Sequence, residues 1–251
     1  MPIPGRTDQL KKLGKATSTF YFKQFKVEDG RSTMKVGTDA VLLGAVAKAE
    51  NAGKILEIGT GCGVISLILA QRCQARIDAI DIDKESVSQA AENVQNSPWK
   101  DRINIIHCSL QNFTQQPGNK YDLVISNPPF FSRSLKSPSK KRNISRHDDS
   151  LSFDELIEGS LELMTLDAGL WIILPVNESR EFMKKALKSG LFAHYILKIA
   201  TKKGSTYRRI ILQLKKSNSE EVIEQEISIK NNDDSFTRDY VKLTHEFYID
   251  F

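Results

Sequence analysis

The sequence predicts an α/β protein: a doubly wound, mainly parallel seven-stranded sheet with an antiparallel final strand. Three observations lead there. From Lys54 onward, short apolar runs alternate with helical stretches of about ten to fourteen residues, the pattern of βαβ units. Glu57-Ile58-Gly59-Thr60-Gly61-Cys62-Gly63 lies between the first of these strands and its helix, where open α/β sheets bind ligands. Val124-Ile125-Ser126 then stops at Asn127-Pro128-Pro129-Phe130-Phe131, because proline offers no N–H to a strand ladder.

Residues 1–18, with Lys11, Lys12 and Lys15 and no period, read as a flexible basic arm. Phe20, Phe22, Phe25 and Val27 suggest an edge strand or hairpin, and Gly37-Thr38-Asp39 opens a helix with Thr38 or Asp39 as its N-cap. Strands are expected at 54–58, 76–80, 103–106, 121–126, 169–174, 192–199 and 207–214, and helices at 64–72, 84–96, 153–166 and 178–189, with Asp83 capping the second. The last two strands, joined by Thr201-Lys202-Lys203-Gly204-Ser205, must be antiparallel. Residues 217–251 are a polar coda with an alternating stretch at 222–229 and an aromatic end. The expected organisation is thus the arm followed by a single domain over 19–251: a cover segment (19–53), a core (54–216) and a C-terminal extension (217–251).

Composition narrows the function classes. With 251 residues, 40% hydrophobic and 27% charged, the chain can bury a substantial core. Its formal charge of +5 permits a polyanionic partner without requiring one. Three cysteines, an odd number without a C-x-x-C pair, point to free thiols in the cytoplasm. The four histidines are scattered, so no metal is expected; no apolar run is long enough to cross a membrane, and no obligate protein partner is evident.

The glycines at 59, 61 and 63 allow a sharp turn and close approach of a ligand to the backbone. Their spacing departs from G-x-G-x-x-G, since position 64 is Val64, which disfavours a pyrophosphate cradle. Asp81 closes the next strand twenty residues after Gly61, the distance at which an acid accepts ribose hydroxyls. Together with Glu57 these residues point to a nucleoside-type cofactor. At the strand stop, two fixed proline φ angles hold the Asn127 amide and the Pro128 carbonyl in one geometry, and Phe130 adds a flat apolar face. That grip suits a planar group carrying an NH2. Arg133, Lys136, Lys140, Lys141, Arg142 and Arg146 follow in a loop with no acid before Asp148, which favours phosphate contact. Lys202, Lys203, Arg208 and Arg209 continue that surface with weaker support, and His147 either positions substrate or fixes the loop.

Glu57-x-Gly59-x-Gly61-x-Gly63, then Asp81, then Asn127-Pro128-Pro129-Phe130, resemble the class I S-adenosylmethionine-dependent amino methyltransferases, with a Rossmann-like fold. The resemblance implies S-adenosylmethionine held by Glu57, Gly59, Gly61, Gly63 and Asp81, and a target nitrogen held by Asn127, Pro128, Pro129 and Phe130. An acid often contacts the cofactor adenine after the third strand in that family; here Ser109 and Gln111 stand there, and Ser109 is taken as the counterpart. Phe22-Lys23-Gln24-Phe25, Met34-Lys35-Val36-Gly37-Thr38-Asp39, Arg146-His147-Asp148 and Glu246-Phe247-Tyr248 look like the bacterial tRNA adenine-N6-methyltransferases that act at position 37 of a valine tRNA. This likeness implies tRNA as the partner and gives Lys35, Thr38 and Asp39 a place in closing the cofactor pocket.

In the implied reaction, Asn127 and the Pro128 carbonyl accept hydrogen bonds from the adenine amine and turn its lone pair toward the sulfonium methyl, while Phe130 stacks on the base. Orientation is the protein's task, and no general base is named. A glutamine N5-methyltransferase is the alternative, since the same grip fits an amide. It would carry a helical recognition domain ahead of the glycine loop, where only about 54 residues stand. A DNA adenine methyltransferase would need a large extra recognition region, and a non-catalytic RNA-binding module would not need the intact motif.

Overall fold

The computed structural model describes residues 6–7, 18–129 and 151–251. In chain order the elements are β1 (Arg6–Thr7), β2 (Thr19–Tyr21), β3 (Lys26–Glu28), α1 (Thr38–Val46), β4 (Lys54–Ile58), α2 (Val64–Arg72), β5 (Arg76–Asp81), α3 (Lys84–Gln95), β6 (Ile103–His107), α4 (Leu110–Thr114) and β7 (Tyr121–Ser126). They continue with α5 (Phe153–Leu163), β8 (Met164–Pro175), α6 (Val176–Lys188), β9 (Phe192–Lys202), β10 (Tyr207–Lys215), β11 (Ile223–Lys230) and α7 (Arg238–Thr244).

The main sheet runs β11-β9-β10-β8-β7-β4-β5-β6. Strands β4 to β8 pair in parallel, and β10 lies antiparallel to both β8 and β9. These are the seven expected strands with their one reversed member. An eighth, β11, pairs in parallel with β9 through Ile227↔Ile199 and its neighbours. The alternating stretch of the coda is therefore an edge strand of the sheet. Helix α5 ends at Leu163, three residues earlier than expected, because β8 starts at Met164.

Alternate residues of each strand serve opposite faces. Ile55, Leu123, Ile125, Ile173 and Ile211 join one apolar cluster with residues of α1, α2 and the C-terminal aromatics. Leu56, Val124, Ile172 and Leu212 join the other, with Leu110, Leu156 and Phe182 of α4, α5 and α6. Burial on both faces is why these strands read as continuous apolar runs, and each large side chain so buried contributes roughly 1.5–3 kcal/mol. Helix starts are capped locally: Asp83 accepts from Ser86 N at 2.8 Å, and Ser152 and Glu155 form a reciprocal capping box on α5. At the end of α2, the Arg102 guanidinium donates to the carbonyls of Ala70 and Cys73, groups a helix terminus leaves open, and to that of Ala75 in the loop that follows.

The hairpin β2–β3, extended by Arg6–Thr7, forms a separate three-stranded sheet. Its aromatic face meets the C-terminal segment: Phe22 stacks on Phe25 at 4.5 Å and on Tyr248 at 6.0 Å, and Lys23 N donates to Phe247 O at 2.8 Å. Asn93 of α3 ties this segment to the glycine loop. Its Oδ1 accepts from Glu28 N at 2.9 Å, while Nδ2 donates to Glu28 O and Cys62 O. Asn93→Ala would leave buried groups on both segments without partners, so we expect it to lower stability by about 1–3 kcal/mol in urea unfolding. An unchanged midpoint would remove Asn93 as the link.

Candidate active site

The parallel register brings the predicted residues to one edge. Ile58 pairs with both Ile80 and Ser126, so β4, β5 and β7 end level. The glycine loop, Asp81 and Asn127 succeed those three residues in turn. Ser126 Oγ donates to Ile58 O at 2.8 Å and locks the last residues of β7 to β4.

Gly59, Gly61 and Gly63 all have positive φ, at 76°, 56° and 82°, which L side chains rarely adopt. A Cβ at Gly63 would lie 3.3 Å from Ala90 Cβ, a tight contact with α3 that adds to the strain of its positive φ. Above Gly59 the space is open for 4 Å, which leaves its backbone accessible to a ligand. Ser32, from the segment between β3 and α1, has its hydroxyl 3.4 Å from the Cβ position of Gly61, which brings this segment against the loop.

Glu57 is fully buried. Its Oε2 accepts from Thr60 Oγ1 at 2.9 Å, Ser66 N at 3.1 Å and the Ser66 hydroxyl, which pins the loop to the start of α2. Burial outweighs these donors and lifts its pKa from 4.5 to about 7. Asp81 stands at the rim, with Gly61 N donating to Oδ2 at 2.8 Å and Asp83 N to Oδ1 at 2.9 Å. Burial also raises its pKa, against the opposing pull of those two N–H groups. Cys62 is held up at about 12 by burial, which keeps the thiol protonated and unreactive.

Asn127 is 6% exposed, and its Oδ1 has no hydrogen-bond partner among the described residues. Pro128 is buried beside it and Pro129 exposed. Phe130, the basic residues Arg133, Lys136, Lys140, Lys141, Arg142 and Arg146, and His147 lie outside the described residues.

The remaining predicted residues divide. Ser109 is the N-cap of α4, its hydroxyl accepting from Asn112 N at 3.2 Å. The N-cap of α1 is Gly37, so neither Thr38 nor Asp39 fills that role; both stand inside the helix, where a residue in extended backbone must precede them. Thr38 and Lys35 line a cavity that Asn127 also lines. Lys35 Nζ donates to Asp29 O at 2.5 Å and pairs with the Asp29 carboxylate at 3.5 Å. Asp39 accepts from Arg209 Nε at 2.6 Å. Sequence reading missed Asp29, a buried acid that also accepts from Val36 N, and Ile82, whose 55% exposure presents an apolar side chain just after Asp81. A large aliphatic residue directly after the strand-end acid was the available signal for Ile82; Asp29 offered none.

The strand order, the reversed β10 and a glycine loop with its acid at the carboxyl edge define a class I methyltransferase fold. A family model described as "Methyltransferase small domain" matches residues 31–151. The tRNA1(Val) (adenine(37)-N6)-methyltransferase of Phocaeicola vulgatus is 44% identical over 230 residues, 92% of this chain and 97% of that protein. Its Bacteroides fragilis counterpart is 39% identical over 234 residues, with the same two coverages. A solved structure described as a predicted O-methyltransferase, Atu636 from Agrobacterium tumefaciens, aligns with a TM-score of 0.62 at 19% identity, over 83% of this chain and 96% of that one. The chain belongs to the tRNA1(Val) (adenine(37)-N6)-methyltransferase family.

A carboxyl whose folded-state pKa is raised stabilises the fold below its unfolded value, and this is lost as pH climbs through the folded value. Glu57 should therefore make the ligand-free protein less stable as pH rises from 4.5 toward about 7, by up to roughly 3 kcal/mol. Glu57→Gln should flatten that slope in urea midpoints taken between about pH 5 and 8. A variant that keeps the wild-type slope would show that another group titrates there.

Proposed function

We propose that this protein transfers a methyl group from S-adenosylmethionine to N6 of an adenine in tRNA, at position 37 of a valine tRNA. Family membership supports the reaction, and one observation carries the assignment of the site: Asn127 lines a cavity at the strand ends, and its buried side-chain oxygen has no hydrogen-bond partner among the described residues. A buried amide oxygen left unpaired costs about 1–3 kcal/mol, a cost a donor on the substrate would remove.

The residues present fit the methyl donor. Open backbone at Gly59 admits its amino-acid part, the Asp81 carboxylate accepts from its ribose hydroxyls, and Ile82 offers an apolar face to its adenine. Glu57 acts indirectly by holding the loop through Thr60 and Ser66. Gly61 and Gly63 supply the turn, Ser109 lies at the next strand end, and Lys35 and Thr38 belong to the covering wall. When bound, the donor supplies an electrophilic methyl on a sulfonium centre.

An exocyclic adenine amine is a poor nucleophile because its lone pair is delocalised into the ring. Asn127 Oδ1 and the Pro128 carbonyl each accept one N–H, which aims the lone pair at the methyl; Pro129 stiffens the turn and Phe130 stacks on the base. The basic residues from Arg133 to Arg146 take phosphates of the tRNA. In this reading residues 19–251 act as one unit in the cytoplasm, with 19–53 as the cover; the Asn93 and Phe22–Tyr248 contacts support the former. Among the described residues no helix is long and apolar enough to cross a membrane, and no cluster of three or more His, Cys, Asp or Glu is placed to hold a metal.

The test is incubation with labelled S-adenosylmethionine and either unmodified valine tRNA or bulk protein, followed by mass spectrometry. Label in N6-methyladenosine is expected, and label only on glutamine would favour the protein-modifying alternative. Asn127→Ala should keep donor affinity while losing at least about a hundredfold in kcat. Retained turnover would take Asn127 out of the reaction.

A further inference from the structure

The cavity at Asn127 has a volume of about 500 Å³, enough for a nucleotide-sized group. Three cationic side chains line it: Lys35, Arg208 and Arg209. Two have acidic partners, Lys35 with Asp29 at 3.5 Å and Arg209 with Asp39 at 2.6 Å. Arg208 has no carboxylate within 4.0 Å among the described residues, and its side chain is exposed. The wall thus carries one cation more than it neutralises, at the mouth, while Asn127 lies at depth.

A break in the strand register accompanies that charge. Successive residues of a strand face opposite ways, so Arg208 and Arg209 in a regular β10 would not line one cavity. The register of β10 against β9 shifts between Tyr207↔Ala200 and Arg209↔Ile199, which leaves Arg208 as the extra residue of a β-bulge. Bulges re-aim a side chain and recur beside active sites. This one is braced on both flanks: Arg209 Nη1 donates to the Arg208 carbonyl at 3.0 Å, and the Tyr207 hydroxyl donates to Glu226.

We propose that Arg208 binds the backbone phosphate of the nucleotide whose base is methylated. The inference rests on the proposed reaction and adds to it a residue outside the motif and outside the basic loop. A base reaching Asn127 is desolvated, whereas its phosphate must stay near water, so the nucleotide enters base first with the phosphate at the mouth. A guanidinium there meets two phosphate oxygens at once. Arg209, committed to Asp39 and to the Arg208 carbonyl, positions the bulge; Arg208 makes the contact.

The experiment is steady-state methylation of a valine tRNA transcript by the full-length wild type, Arg208→Ala and Arg208→Lys at several salt concentrations, with donor affinity measured by calorimetry. Arg208→Ala should raise KM for tRNA about tenfold, leave kcat within about twofold, and reduce the log–log salt slope by about one. Arg208→Lys should recover the salt slope, because a single cation suffices for counterion release. Donor affinity should not move. An unchanged KM and slope, or a rise in KM matched by weaker donor binding, would overturn the assignment while an active wild type left the proposed reaction standing. A wild type that forms no N6-methyladenosine would instead overturn the reaction itself.

Discussion

The register of three parallel strands is the constraint on which the site depends. Ile58 faces Ile80 on one side and Ser126 on the other, so β4, β5 and β7 cannot slip without moving every side chain to the wrong face of the sheet. Level ends put a glycine loop, a carboxylate and an amide along one edge, and both faces of the sheet are sealed by helices. The proposed chemistry is thereby placed at the edge, which is where ligands enter open α/β sheets.

Two buried side-chain oxygens at that edge, Glu57 Oε1 and Asn127 Oδ1, have no hydrogen-bond partner among the described residues. Oε2 of Glu57 is saturated by donors from its own loop and serves the fold, fixing the turn through Thr60 and Ser66. Asn127 Oδ1 has no partner of any kind among the described residues, a cost that the amine of the proposed substrate would relieve. In the proposed reaction an acceptor already placed by the fold would orient the reacting amine toward a methyl whose electrophilicity the cofactor supplies.

Local signals were legible. Alternate glycines, an acid at the end of the next strand and an Asn-Pro-Pro stop each state their geometry within a few residues, and the seven core strands follow from their apolar runs. Elements that depend on partners far along the chain were not. Asp39 and Arg209 lie 170 residues apart, and nothing near either names the other. Strand β11 is half exposed and largely polar, so its alternation did not reveal that it would pair with β9. The bulge at Arg208 reads in sequence as an ordinary pair of arginines. Thr38 looked like a cap because it is a good capping residue, yet the extended backbone the cap needs falls on Gly37. Ser109 shows the converse: its hydroxyl serves α4, a short helix that composition did not announce.

The proposed reaction requires donor and target to meet at these strand ends. A crystal structure of the protein with S-adenosylhomocysteine and adenosine tests it most directly. It should place the ribose hydroxyls within hydrogen-bond distance of the Asp81 carboxylate and the adenosine amine on Asn127 Oδ1, with the sulfur facing that amine. Adenosine bound away from Asn127, or a cofactor ribose that does not reach Asp81, would contradict it.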